Sequence, residues 1–237
     1  MAKKIVMLSL GGSEGKTTLA VQLLHTHLPD AKILCVDSAN ETAADFGIKK
    51  CEKHSGAEFN TTYHALMSEP GDVIVDVGGN KECKEFINGM LEVEGSDEVT
   101  TFIIPSKAES KGQSAAIETI ARLIRGGVNK SKIKVIFMAA TKPVEEEFSE
   151  VVAGMKEHGL VPDLDLVLTS SKLYNDLIKH KEIIAHIVND ETDFKEKAAN
   201  RKKGDETDYI EMLIRQKMAR ITVWPDIQRV YQHLFKD

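Results

Sequence analysis

Three groups of residues in this sequence have the types and spacing needed to handle a polyphosphate. The first is the run Ser9-Leu10-Gly11-Gly12-Ser13-Glu14-Gly15-Lys16-Thr17-Thr18. Glycines let successive backbone N–H groups converge on phosphate oxygens, because no Cβ stands in the way. A lysine after them can reach the β- and γ-phosphates, and the next hydroxyl can sit on Mg²⁺. The candidate nucleotide contacts are therefore Gly11, Gly12, Ser13, Glu14, Gly15, Lys16, Thr17 and Thr18, with Lys16 also a candidate catalytic group. The other two groups centre on Asp37, which closes an apolar run, and Asp76, in Gly71-Asp72-Val73-Ile74-Val75-Asp76-Val77-Gly78-Gly79. A carboxylate after a hydrophobic strand can hold Mg²⁺ directly or through water. Thr17, Asp37 and Asp76 make up the candidate metal set, and Asp37 is the second candidate catalytic residue. Gly78-Gly79 would let backbone approach the γ-phosphate region. One aspartate at a strand end is ordinarily a terminator or helix N-cap. Three chemically matched pieces on strand ends of one sheet are harder to explain that way.

The elements that must position these groups are legible as alternating patterns. Apolar runs at Ile5–Leu8, Ile33–Val36, Val73–Val77, Phe102–Ile104 and Val135–Met138 predict strands, with a weaker sixth at Leu166–Leu168. They are continuous rather than alternating, as in parallel strands covered on both faces. Helical patterns lie between most of them, at Thr17–Leu28, roughly Lys81–Val93, Lys111–Arg125 and Val144–His158. This order predicts an α/β fold: a doubly wound, mostly parallel sheet with P-loop NTPase topology and a helical C-terminal part. The expected organisation is one domain over 1–237, with a sheet core at 1–168 and a helical extension at 169–237. The glycine run then falls between the first strand and first helix, where a helix N-terminus adds its dipole and unpaired donors. A strict G-x-x-x-x-G-K-[ST] pattern fails at Leu10, so the strand–turn–helix context carries the assignment.

Other parts of the sequence are less directive. Between Ala39 and Pro70 only Tyr63–Met67 reads as a helical turn, before Glu69-Pro70-Gly71 breaks the chain. Glu191 to Asp208 is strongly polar and reads as a solvated helix or mobile loop, with a DNA or protein contact surface as the alternative. Ile210, Leu213, Ile214, Met218 and Ile221 share one helical face, and Ile227, Val230, Tyr231 and Leu234 another. Such stripes usually mark core or dimer packing. The alternative is a membrane-surface helix flanked by Arg215, Lys217, Arg220, Trp224 and Arg229.

With 42% apolar residues among 237, the chain can build a sizeable core, and no run approaches the ~18 apolar residues of a membrane span. Met1-Ala2-Lys3-Lys4 before an apolar run faintly resembles a signal peptide, but the run leads straight into the glycine turn and reads as a strand. Cys35, Cys51 and Cys83 lack metal-ligand spacing, which fits reduced thiols in a cytoplasmic protein. A net charge of −6 gives no global attraction to nucleic acid or anionic membrane.

Gly11-Gly12-x-x-Gly15-Lys16-Thr17-Thr18, Cys35-Val36-Asp37 and Val73-Ile74-Val75-Asp76 resemble the ParA/MinD family of deviant Walker A ATPases, and within it the plasmid StbB and conjugal-transfer TraL type. The resemblance covers about residues 1–160; the C-terminal third matches only in general character. It implies ATP and Mg²⁺ as cofactors, an ATP-sandwich homodimer, and slow hydrolysis coupled to a partner, which for this type is plasmid-encoded. It also implies work in partitioning or positioning plasmid DNA, with direct DNA contact open, or in conjugation. Membrane contact is not expected. The family's adenine loop begins at the Ala139-Ala140-Thr141-Lys142-Pro143 stretch, so the resemblance adds Thr141 and Lys142 to the nucleotide contacts. The guanine-reading Asn-Lys-x-Asp pattern is missing there, which favours ATP. Thr169-Ser170-Ser171-Lys172 is a further candidate, although a helix cap is the ordinary reading.

Two departures stand out. Gly11 occupies the place of the family's signature lysine, and Ala39 that of its second strand-two aspartate, which orients the attacking water. Alanine can neither orient nor deprotonate water; Asn40, Glu41 and Asp45 are the nearby substitutes. A non-hydrolysing nucleotide switch or adaptor therefore stands beside the ATPase reading. A small-molecule phosphotransferase or ligase on the same loop is the remaining alternative.

Overall fold

A computed structural model describes residues 2–12, 14–37, 43–55, 58–202 and 205–236. Among them, seven strands form one all-parallel sheet. They are β1 (Lys4–Met7), β2 (Lys32–Val36), β3 (Cys51–His54), β4 (Val73–Val77), β5 (Thr101–Lys107), β6 (Ile133–Ala140) and β7 (Val167–Thr169). Their spatial order is β3-β2-β4-β1-β5-β6-β7. The chain winds outward from β1 to β3, returns through β4, then crosses β1 to build β5, β6 and β7. Connections leaving in opposite directions open a crevice at the carboxyl end of the central strand, where ligands bind in such sheets. The glycine run and both aspartates lie at that end. The α/β class, the parallel P-loop NTPase topology and the helical C-terminal part are as the sequence predicts.

Alternation along β1 shows why its residues are all apolar. Val6 and Leu8 belong to one core with Phe86, Met90, Ile120 and Leu123. Ile5 and Met7 belong to the other, with Leu19, Leu23, Ile227 and Val230. The first face is covered by α2 (Phe59–Ser68), α3 (Asn80–Glu92), α4 (Ser110–Arg125), α5 (Val144–Glu147) and α6 (Ser149–Glu157). The second is covered by the helix after the glycine run, which starts as α1 (Lys16–Thr18) and continues as a π-helical segment, Leu19–His25. Beside it pack α7 (Lys172–His180), α8 (Ile184–Asn189), a π-helical segment at Ala219–Val223 and α11 (Trp224–Leu234). Between them, α9 (Phe194–Ala199) leads to α10 (Tyr209–Met218). Buried Gln22 ties the first helix to the C-terminal ones: its Nε2 donates to the Glu182 carbonyl at 2.8 Å and its Oε1 accepts from the Ile184 N–H at 2.8 Å.

Several expectations need correction. Strand β3 lies in the stretch that seemed least legible; it is a polar edge strand, Cys-Glu-Lys-His, with both central residues exposed. Charged edges of this kind discourage sheet-to-sheet association, and they erase the apolar signal that marks interior strands. The helical turn at Tyr63–Met67 is part of the longer α2. The single helix expected over Val144–His158 breaks at Phe148, whose ring is fully buried against Phe137 with centroids 5.2 Å apart. The weak sixth run is seated one residue later, at β7. The polar 191–208 region contains α9, anchored by buried Phe194.

The two C-terminal stripes diverge. Ile227, Val230 and Leu234 are core, whereas Ile210, Ile214 and Ile221 are 53%, 52% and 73% exposed. Most of the flanking groups proposed for a membrane surface are held internally. Arg215 pairs with Glu182, and Arg220 donates to the Val188 and Asp190 carbonyls. Arg229 donates to Asp165 and Val167 carbonyls and to Asp226, while Trp224 stacks on His27. Among the described residues no helix is long and apolar enough to cross a membrane.

Candidate phosphate-binding site

A cavity of about 590 Å³ opens at the carboxyl ends of β1, β2, β4 and β5, within the size range of small-molecule sites. Gly12, Glu14, Gly15, Lys16, Thr17 and Thr18 line it from the loop, and Asp37, Asp76, Gly78 and Gly79 from the strand ends. Gly11 lies just behind, its carbonyl accepting from Lys16 Nζ at 3.2 Å. Ser13, Ala39, Asn40 and Glu41 lie outside the described residues. Asp45 pairs with Lys53 of β3 at 3.7 Å.

The loop turns where Gly15 adopts φ +94°, a conformation that costs side-chain-bearing residues about 1 kcal/mol or more. An added Cβ there would also lie 2.8 Å from Met138 Cε. The turn aims the first helix at the cavity and leaves Lys16 only 8% exposed. Its hydrogen bond to the Gly11 carbonyl engages a buried ammonium that also lines the cavity. Gly78 serves a second close approach: a Cβ would fall 2.6 Å from Asp37 Oδ2 and 2.9 Å from the Val36 carbonyl. The ends of β2 and β4 are thereby drawn together, with the two carboxylates side by side.

Thr17 Oγ1 donates to Asp76 Oδ2 at 2.9 Å, joining residues 59 apart in sequence. Asp76 is buried, and burial pushes its carboxyl up to about 6; the Thr17 hydroxyl and Lys16 oppose that rise, and the nearby Asp37 charge adds to it. Threonine hydroxyl and paired carboxylates are hard oxygen donors, the set that Mg²⁺ takes. A divalent cation here would relieve the crowding of Asp37 against Asp76, so the donor chemistry and the electrostatics both fit Mg²⁺. Bound there, it would neutralise polyphosphate charge.

Glu14, one of the expected loop contacts, lines the cavity but is turned inward toward β5. It is 6% exposed, and its Oε2 accepts from the Lys107 backbone N–H at 3.2 Å. Burial raises its carboxyl, against the pull of that N–H and of the Lys107 and Lys16 charges. Lys107, the last residue of β5, lines the cavity and was not anticipated; its position two residues past Pro105 in an apolar run was the available signal. Thr141 and Lys142 are held elsewhere. The Thr141 N–H and hydroxyl and the Lys142 N–H all donate to Glu147, and Lys142 Nζ donates to Glu146. These two residues line a neighbouring open cavity that shares Ser170 with the first. Ser171 caps α7, accepting from the Leu173 N–H, which is the ordinary role expected of it.

The sheet order, the loop after β1 and the carboxylates at the ends of β2 and β4 define a P-loop NTPase fold. Solved structures share it. MinD of Aquifex aeolicus aligns over 81% of this chain and 92% of its own, with a TM-score of 0.56 and 15% identity. A candidate plasmid partition protein of Borrelia burgdorferi B31, bound to AMPPNP, aligns over 91% and 100%, at 0.53 and 12%. The cell-division ATPase MinD of Pyrococcus furiosus aligns over 92% and 98%, at 0.51 and 12%. No protein-family model matches the chain, and no curated protein does.

Proposed function

We propose that this chain is a ParA/MinD-type protein, of the StbB and TraL-like kind, that binds Mg-ATP, hydrolyses it slowly and dimerises when nucleotide is bound. The observation that carries the reading is the convergence of Lys16, the Thr17–Asp76 pair and Asp37 on one cavity at the switch point of the sheet. In this reading Lys16 and the loop amides, Ser13 included, hold the phosphates. Thr17, Asp37 and Asp76 hold the cation, Asp37 also supports the attacking water, and Thr141 and Lys142 border the base. The fold likeness to a cell-division ATPase and to an AMPPNP-bound protein supports ATP as the ligand. The whole chain acts as one domain in the cytoplasm, and population of the dimer is its output, because a ligand shifts an equilibrium only by its differential affinity for two states. The biological setting is plasmid partition, DNA positioning or conjugal transfer, through a plasmid-encoded partner or direct DNA contact.

The test is ATP affinity, phosphate release and solution mass measured on one preparation with Mg²⁺. Binding with doubled mass and slow release is expected, and Lys16→Ala should lose binding; an unchanged affinity in that variant removes the phosphate-loop assignment. A second reading, a nucleotide switch without turnover, draws on Glu14. Apart from Asp37 and Asp76 it is the one carboxylate among the described residues lining the cavity, and the Lys107 N–H already engages it. Binding and dimerisation with no phosphate release, even with DNA and candidate partners present, would establish that reading.

A further inference from the structure

The cavity is short of positive charge for a polyphosphate. Among the described residues that line it, Glu14, Asp37 and Asp76 face only two cations, Lys16 and Lys107. Mg²⁺ at Asp37 and Asp76 would balance one flank and leave Glu14 beside the loop. Position 11 has no room to supply another cation: a Cβ on Gly11 would lie 2.6 Å from Glu14 Oε1 and 2.9 Å from its Cγ. Glu14 fills the space into which such a side chain would project.

The same glutamate fixes Lys107. Its Oε2 accepts from the Lys107 backbone N–H, and Gly112 closes from behind, where an added Cβ would lie 3.0 Å from the Lys107 carbonyl and 3.2 Å from its Cβ. Lys107 ends β5, which pairs with β1 on the side opposite β4. The loop after β1 is thus flanked by the acids of β2 and β4 on one side and by this lysine on the other. Its backbone is anchored, its charge is close enough to act on Glu14, and its flexible stem keeps several ångströms of reach.

We propose that Lys107 is the second phosphate-binding cation of the site, reaching the nucleotide's polyphosphate from the β5 side. The inference rests on the nucleotide-binding reading above. It assigns to a strand-end lysine a charge that the glycine loop cannot carry at position 11.

Calorimetric titration of ATP and ADP into wild type, Lys107→Met, Lys107→Arg and Lys16→Ala, each over a range of KCl concentrations, tests it. Loss of a charge-assisted contact should weaken ATP and ADP binding about tenfold in Lys107→Met. It should also flatten the salt dependence of affinity, since one screened charge pair is gone. Lys107→Arg should keep most of the affinity and the wild-type salt slope, and nucleotide-free melting should be the same in wild type and both Lys107 variants. Wild-type affinity and slope in Lys107→Met, with binding lost in Lys16→Ala, overturn the role of Lys107 and leave the nucleotide site standing. Equal loss in the Met and Arg variants, or a lowered melting temperature, shows a structural role and also overturns it. Absence of ATP binding by wild type sinks the nucleotide reading itself.

Discussion

Asp76→Asn should stabilise the nucleotide-free protein while disabling it. The carboxyl is buried, and carrying it from its ordinary 3.8 to about 6 means that the folded chain holds a proton the unfolded chain has released. A raised acid weakens folding as pH rises through that window, because the folded state binds more protons than the unfolded one. Below 3.8 both states are protonated and the penalty vanishes. It reaches about 1–2 kcal/mol at pH 5 and about 3 kcal/mol above pH 7. Asparagine removes the charge but keeps an oxygen to accept from Thr17. Urea unfolding of both proteins in chelator, from pH 5 to 8, should therefore show the variant more stable, by a margin that grows with pH. Mg-ATP should reverse the order, since ligand binding to the native state would stabilise wild type and not the variant. Equal stabilities at pH 8, or a margin that widens toward acid, would refute the account of a strained, desolvated carboxylate.

Two further perturbations separate loop from core. Gly15→Ala places a side chain at φ +94° and drives its Cβ toward Met138 Cε at 2.8 Å; a stability loss of about 1–3 kcal/mol in urea unfolding, with weakened ATP binding, is expected. Ile227→Ala, at a fully buried position of α11, should cost about 2–5 kcal/mol, whereas Ile221→Ser, at a position 73% exposed, should stay within about 0.5 kcal/mol. Similar losses in the two isoleucine variants would contradict the assignment of α11 as core and the Ile221 face as surface.

What the sequence disclosed follows from how local each signal is. Strands covered on both faces must be apolar throughout, so β1, β2, β4, β5 and β6 were visible as runs, and a glycine turn between strand and helix has few other uses. Among the described residues, edge strand β3 pairs with β2 alone, and half its residues face solvent, so it carries no apolar run. Position 148 shows another limit: the helical period continues through it, but a ring that must reach Phe137 breaks the helix. The outward stripe of α10 was ambiguous because periodicity states that a face is apolar, not which way it turns. There the inward face is set by Gln216, whose Nε2 donates to the Asp190 carbonyl at 2.6 Å.

Glu14 carries the sharpest version of that limit. The loop pattern places Glu14 among the phosphate contacts, but no local signal names the partner that buries it. Its partner is the backbone of a strand 93 residues away, brought beside the loop only because β5 pairs with β1. That long-range hydrogen bond holds the Glu14 side chain over Gly11 and against the end of β5. The loop's glycines and the opposite wall therefore meet at Glu14: a Cβ at position 11 would displace its side chain and disturb its bond to the Lys107 N–H, while β6 still pairs with Lys107. What stands beside the loop is decided by the pairing of two strands, and a motif confined to the loop cannot express it.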